Sequence, residues 1–143
     1  MKIFFAFPIT GDRSSLENAK GIVEIIESLG HEVTTKIFFD KENMMNEEMH
    51  LSEQEKFDLD MKWLLESDML IGEITRPSYG MGFEVGYVLG STNKKVMLLY
   101  HRDGHGKITA MSNGNTHPNC TVFQYNTLDE VREFLQGRIG GAS

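Results

Sequence analysis

Glu84 stands in the stretch ITRPSYGMGFEVGYVLG, Ile74 to Gly90, among Gly82, Gly86 and Gly90 at four-residue spacing. At 3.6 residues per turn this spacing sets the three glycines on one stripe of a helix. Each costs about 1 kcal/mol there relative to alanine. Bare helical backbone suits close helix packing or close approach of a ligand. The helix dipole alone favours an acid in the first turns. The glycines add something else: they leave no side chains over Glu84, and a carboxylate in a bare pocket is a candidate nucleophile. Asp60 is the second acid of interest. It comes three residues after Phe57 and four before Leu64, so it shares their helical face, while Asp58 points elsewhere. An acid on an apolar face is either a solvated edge residue or a buried functional one, because burying an unpaired carboxylate is costly. Two carboxylates meeting in one pocket permit work at an anomeric carbon, where one attacks and the other handles the leaving-group proton.

Other constellations are less specific. The loop PITGDRSS combines Gly11, Arg13, Ser14 and Ser15 with the start of a helix, and its amides and hydroxyls suit a phosphate. It lacks the Gly-Lys-Ser/Thr ending of a Walker loop, Asp12 counts against an anion, and a plain helix cap explains much of it. His101, Asp103 and His105 have a loop-like spacing with no third strong ligand, so no metal is expected there. His31 and His50 read as surface residues, His117 as a loop residue before a proline, and the nine methionines as core packing.

The elements that must position these residues alternate between strand and helix. Lys2 to Phe7 is an apolar, aromatic strand ended by Pro8, and Ser14 or Ser15 caps a helix that stops at Gly30. His31 to Phe39 reads as a second strand, and 40–51 as a loop or short helix. Ser52, with Gln54 and Glu55 nearby, resembles a capping box opening a second helix with Phe57, Met61, Leu64 and Leu65 as its buried stripe. Met69 to Ile74 is the third strand, Tyr79 to Asn93 the third helix, and Lys95 to His101 the fourth strand. An eighteen-residue loop leads to a fifth strand, Cys120 to Tyr125, and a closing helix capped by Thr127. Such alternation, with strands apolar on both faces, predicts an α/β fold with a five-stranded parallel sheet covered on both sides. Ligands bind such sheets at the carboxyl ends of the strands, where strand order reverses.

Bulk properties bound the function. The chain has 143 residues, 14 Lys and Arg against 21 Asp and Glu, and a formal net charge of −7. That length suits one domain, taken as 1–140 with 141–143 as a disordered tail. The acidic balance disfavours binding to nucleic acid polymers, though not to a small anion at a local site. Cys120 is the one cysteine, so no intramolecular disulfide forms. It reads as a small buried residue opening a strand, and a reducing, cytoplasmic setting is expected. The apolar run before Pro8 is too short to span a membrane, so no membrane partner is expected.

Three pieces of sequence carry a family resemblance. They are the helix DMKWLLESD, the acidic strand end GEIT, and PSYGMGFEVG. Together they resemble the nucleoside 2-deoxyribosyltransferase superfamily, and within it the branch of 2′-deoxynucleoside 5′-phosphate N-hydrolases. The resemblance covers nearly the whole chain in order. It implies a flavodoxin-like, Rossmann-like three-layer sandwich and an N-glycosidase of nucleoside 5′-monophosphates. It makes Glu84 the nucleophile at C1′ of the sugar, and Asp60 the second acid, protonating the departing base or orienting the sugar. Ser78, six residues before Glu84, matches the phosphate-binding hydrolases, where the transferases have an Asp that would repel a phosphate. The resemblance further implies substrate contacts from Pro8, Ile9, Thr10, Gly11, Arg13, Gly80 and Gly82. Thr109, Met111 and Ser112, in KITAMSNG, would come from the neighbouring subunit of a homodimer with shared active sites. The chain departs from the hydrolase pattern in two places. Phe7-Pro8-Ile9-Thr10 stands where the hydrolases have a Gly-Ser-Ile-Arg run, so Pro8 removes a backbone donor and Thr10 replaces a cation, and Phe4 stands where the family tends to have a Tyr. No cofactor and no metal are implied. A base-exchanging transferase and a non-catalytic nucleotide-binding module are the alternative readings.

Overall fold

The computed structural model describes residues 1–8, 15–35 and 50–141. Among them are five strands, all parallel, in the order β2-β1-β3-β4-β5. They are β1 (Lys2–Ala6), β2 (Glu32–Val33), β3 (Met69–Glu73), β4 (Lys95–His101) and β5 (Cys120–Tyr125). The helices are α1 (Leu16–Ser28), α2 (Glu53–Glu66), α3 (Tyr79–Ser91), the short α4 (Ala110–Asn113) and α5 (Leu128–Ile139), with a 3₁₀ turn at Arg102–Gly104. Strand order reverses between β1 and β3, which pair from Ile3↔Met69 to Ala6↔Gly72. The loops leaving these two strands therefore begin side by side at the carboxyl edge, the position where open parallel sheets bind ligands.

Period-two alternation divides β1 between two cores. Ile3, Phe5 and Phe7 join Ile22, Ile26, Val131 and Leu135 of α1 and α5 on one face. Phe4 and Ala6 join Leu64 of α2 and Met81 and Val88 of α3 on the other. The apolar run of each central strand thus feeds both faces, as the sequence predicts.

Local chemistry sets the element ends. Ser52 Oγ accepts the Glu55 N–H at 3.1 Å and Glu55 Oε1 accepts the Ser52 N–H at 3.2 Å, so the expected capping box is present. Thr127 Oγ accepts the Glu130 N–H at 3.3 Å and opens α5 as expected. The long loop after β4 is not structureless, since it holds the 3₁₀ turn and α4.

Other expectations change. β2 is short: at Thr35 the buried hydroxyl accepts the Phe5 N–H (3.0 Å) and donates to the Phe5 carbonyl (2.7 Å), replacing a backbone pair. The rest of the expected second strand, from Lys36, and residues 40–49 lie outside the described residues. The stripe of α2 is narrower than predicted. Leu64 is buried and Met61 half-buried, but Phe57 and Leu65 are 52% and 51% exposed. His31 is buried rather than superficial, bonded to the Met1 amino group and the Gly140 carbonyl, each at 3.1 Å. Cys120 is only half-buried at the start of β5. No helix among the described residues is long and apolar enough to cross a membrane.

Ser52→Ala removes one half of the capping box and leaves the other without its geometry. It should cost about 1 kcal/mol and lower Tm by about 3 °C, read by calorimetry.

Candidate active site

Asp60 of α2 and Glu84 of α3 come together between the two helices. The start of α3 is fixed by Pro77, which disfavours helical conformation at the residue before it. It is fixed also by Ser78, whose Oγ accepts the Met81 N–H at 3.2 Å. The first turn of α3 holds no acid, and Glu84 falls in the second. The helix dipole, which acts over the end turn, therefore does not account for it. Asp60 lies toward the middle of α2, and the two carboxyl groups are within hydrogen-bonding reach of each other. Beside them runs a row of rings. Phe57 meets Phe83 at 6.1 Å between centroids, and Phe83 meets Tyr87 at 6.0 Å.

The environment decides the charge of this pair. Burial, then the hydrogen bond and negative charge of Asp60, push the Glu84 carboxyl from its ordinary 4.5 up to about 9. Burial raises Asp60 as well, opposed by its bond to Glu84. Two carboxyls that interact this closely titrate as a pair, and Glu84 holds its proton through neutral pH. Asp60 Oδ1 is fully buried and meets no donor among the described residues. A shared proton, or an N–H on a bound molecule, is what would satisfy it.

The glycine stripe meets none of the described residues: a Cβ built on Gly82, Gly86 or Gly90 has none of their atoms within 4 Å. Close packing against the described elements therefore does not account for these glycines. Tyr79 is fully exposed on the same helix and Phe83 half-exposed.

The remaining predicted residues divide into three groups. Ser78 is half-buried at the cap of α3, with Gly80 exposed beside it and Gly82 exposed one turn on. Pro8 is buried just past β1, while Ile9, Thr10, Gly11 and Arg13 lie outside the described residues. Thr109, Met111 and Ser112 lie on and around α4. The Thr109 hydroxyl faces Ser112 Oγ at 3.4 Å, neither hydroxyl bonds Glu84 or Asp60, and Met111 is 84% exposed. The histidine segment after β4 is tied up locally. His101 Nδ1 accepts the Asp103 N–H at 3.2 Å, His101 Nε2 meets the Asn126 carbonyl at 3.1 Å, and His105 Nδ1 meets Gln124 Oε1 at 3.1 Å. No group of three or more His, Cys, Asp or Glu gathers as a metal site among the described residues.

One buried acid was legible only as part of a motif. Glu73, 1% exposed at the end of β3, accepts the Thr75 N–H at 2.6 Å and the Tyr125 hydroxyl proton. Its sequence signal was a lone acid in an otherwise apolar strand.

Comparison with known proteins follows the same lines. The family model described as nucleoside 2-deoxyribosyltransferase matches residues 3–119. A Thermofilum pendens protein, provisionally named 2′-deoxynucleoside 5′-phosphate N-hydrolase 1, is 34% identical over 142 residues. The match covers 99% of this chain and 97% of that protein. The 5-hydroxymethyl-dUMP N-hydrolase of Danio rerio is 28% identical, with 95% of this chain and 94% of that protein covered. Among solved structures, the Clostridium botulinum CMP N-glycosidase BcmB superimposes with a TM-score of 0.66 at 19% identity. It covers 95% of this chain and 98% of its own, and it shares the fold.

The carboxyl pair makes stability depend on pH. A carboxyl whose native pKa lies above its unfolded value holds a proton that the unfolded chain has released. Its full stability is present below about pH 4.5 and is lost as pH rises toward 9. Glu84→Gln removes this term. At pH 8 it should melt higher than the wild type, by about 3 °C for each kcal/mol relieved, and its Tm should vary less between pH 6 and 9 in calorimetry.

Proposed function

This chain belongs to the nucleoside 2-deoxyribosyltransferase family, and on that premise we propose that it hydrolyses the N-glycosidic bond of nucleoside 5′-monophosphates. The products are free base and a sugar 5-phosphate. The observation that carries the reading is the carboxyl pair: two acids within hydrogen-bonding reach beside bare helical backbone, with Asp60 Oδ1 buried and lacking a donor among the described residues. Full-length relatives bear the names of hydrolases acting on such monophosphates, which supports the substrate class.

The steps use this chain's own groups. Substrate binding draws the Glu84 proton onto Asp60 and leaves Glu84 ionised. Glu84 attacks C1′ as the bond to the base nitrogen breaks, and the electron pair of that bond takes the proton from Asp60. The transition state carries positive charge on the sugar, and the fixed Glu84 carboxylate beneath it is stabilising. Water then attacks C1′, Asp60 accepts its proton, and Glu84 is released. The glycines keep Glu84 approachable by a bulky sugar. Ser78 spends its oxygen lone pair on the helix cap, which leaves its hydroxyl proton for a phosphate oxygen.

The site is shared in a homodimer. The open face of α3, the exposed rings of Phe57 and Phe83, and Met111 in solvent make a surface that a second copy covers. Thr109, Met111 and Ser112 then belong to the partner's pocket. A cytoplasmic location fits the nucleotide substrate.

Incubation with ribo- and deoxyribonucleoside monophosphates, and with the unphosphorylated nucleosides, should release base from monophosphates only. Glu84→Ala should lower the rate by about a thousandfold or more. Base exchange with a second added base would move the protein to transfer. Nucleotide binding with no release would make it a binding module. Sedimentation equilibrium should give a dimer, and Met111→Glu should shift it toward monomer while lowering base release. Unchanged mass and turnover in that variant would remove the shared site.

A further inference from the structure

Glu73 is a buried carboxyl group with no part in the bond-breaking steps above. Alternation along β3 places it with Met69 and Ile71, whose core contains α1 and α5. Asp60 and Glu84 stand on α2 and α3, across the sheet. Glu73 therefore does not reach the sugar from its side of the sheet. It gathers the carboxyl ends of three strands. Oε1 accepts the Thr75 N–H at 2.6 Å, Oε2 accepts from the Tyr125 hydroxyl at the end of β5, and Thr75 Oγ1 accepts the His101 N–H of β4 at 2.8 Å. Thr75 is 5% exposed and Tyr125 1%. Gly104 is packed tightly against the same turn, since a Cβ there would lie 3.2 Å from Thr75 Cγ2 and 3.3 Å from the Thr75 carbonyl oxygen. Two segments leave this clamp. One is Thr75–Ser78, which leads into the cap of α3. The other runs through the 3₁₀ turn to Thr109, Met111 and Ser112.

We infer that Glu73 is a positioning residue for the substrate-phosphate side of the pocket, acting through the Thr75 amide and the turn to Ser78. This rests on the reading of the site given above. The required property is the acceptor on the Thr75 N–H rather than the negative charge, because a buried amide left unsatisfied must find another partner by moving the turn. A glutamine supplies that acceptor, and its amide donates to the Tyr125 oxygen. A leucine supplies neither.

Glu73→Gln and Glu73→Leu separate the two. Glu73→Gln should keep kcat and KM for the nucleoside monophosphate within about twofold of wild type, with an unchanged pH profile. Glu73→Leu should raise KM about tenfold, the scale of one lost buried hydrogen bond, with kcat within about threefold. Tyr125→Phe keeps the ring against His101 and should move KM in the same direction by less, and it replaces the leucine variant if that one does not fold. Amide exchange followed by mass spectrometry, which needs no substrate, should be faster at Thr75 to Gly82 in Glu73→Leu than in Glu73→Gln. Equal KM in all variants, a fall in kcat alone, or exchange that rises evenly over the whole chain would overturn the inference. If the wild type releases no base, the hydrolase reading fails by itself, and the exchange pattern still decides whether Glu73 holds this turn.

Discussion

Two carboxyl groups held together out of water cannot both be ionised at neutral pH. At Asp60 and Glu84 it raises both carboxyls above their ordinary range, Glu84 to about 9. It also demands a rigid frame. Asp60 and Glu84 are on separate helices, and the cost of burying both carboxyls would part them if α2 and α3 were loosely held. Leu64 of α2 and Met81 and Val88 of α3 anchor both helices to the same sheet face, against Phe4, Leu70 and Leu98. The apolar core beneath thus holds an electrostatic arrangement that is unfavourable when empty, as functional sites commonly do.

Much of this could be read from the residues. β4 and β5 have the bounds expected from their apolar runs, and Ser52 and Thr127 cap the helices they were expected to cap. Strand–helix alternation gave the parallel sheet, and Glu84 and Asp60, singled out among the acids, lie within hydrogen-bonding reach of each other. What was not legible depended on partners distant in sequence. Periodicity found the apolar face of α2 but not what covers it, so Phe57 and Leu65 were expected inside. A face reserved for a ligand or a second subunit has the same pattern as a core face. His31 is buried because Met1 and Gly140 close over it, a contact spanning almost the full chain. Glu73 pairs with Tyr125, fifty-two residues away, and no local spacing points to that bond.

The glycine stripe shows how structure redirects a sequence argument. Three helical glycines allowed two explanations, tight internal packing or an approached surface. Among the described residues nothing lies within 4 Å of a Cβ at Gly82, Gly86 or Gly90, so packing against those elements is not the reason. The helix thus gives up intrinsic stability along this side without gaining a close contact from them.

The order of pairing in the sheet bears on how the molecule comes to be made. β1 precedes the other described strands in the chain and is a central one, yet its partner β3 begins with Met69, and the Lys2 N–H is held by Asp68 Oδ2 at 2.7 Å. Closing a loop of that length must precede any reward from the contact, which slows folding in topologies of this kind. On the ribosome, a nascent chain that has not yet emerged past β3 exposes the apolar Ile3-to-Phe7 run without its central neighbour. That makes early synthesis the stage at which this protein is most open to aggregation and to capture by chaperones.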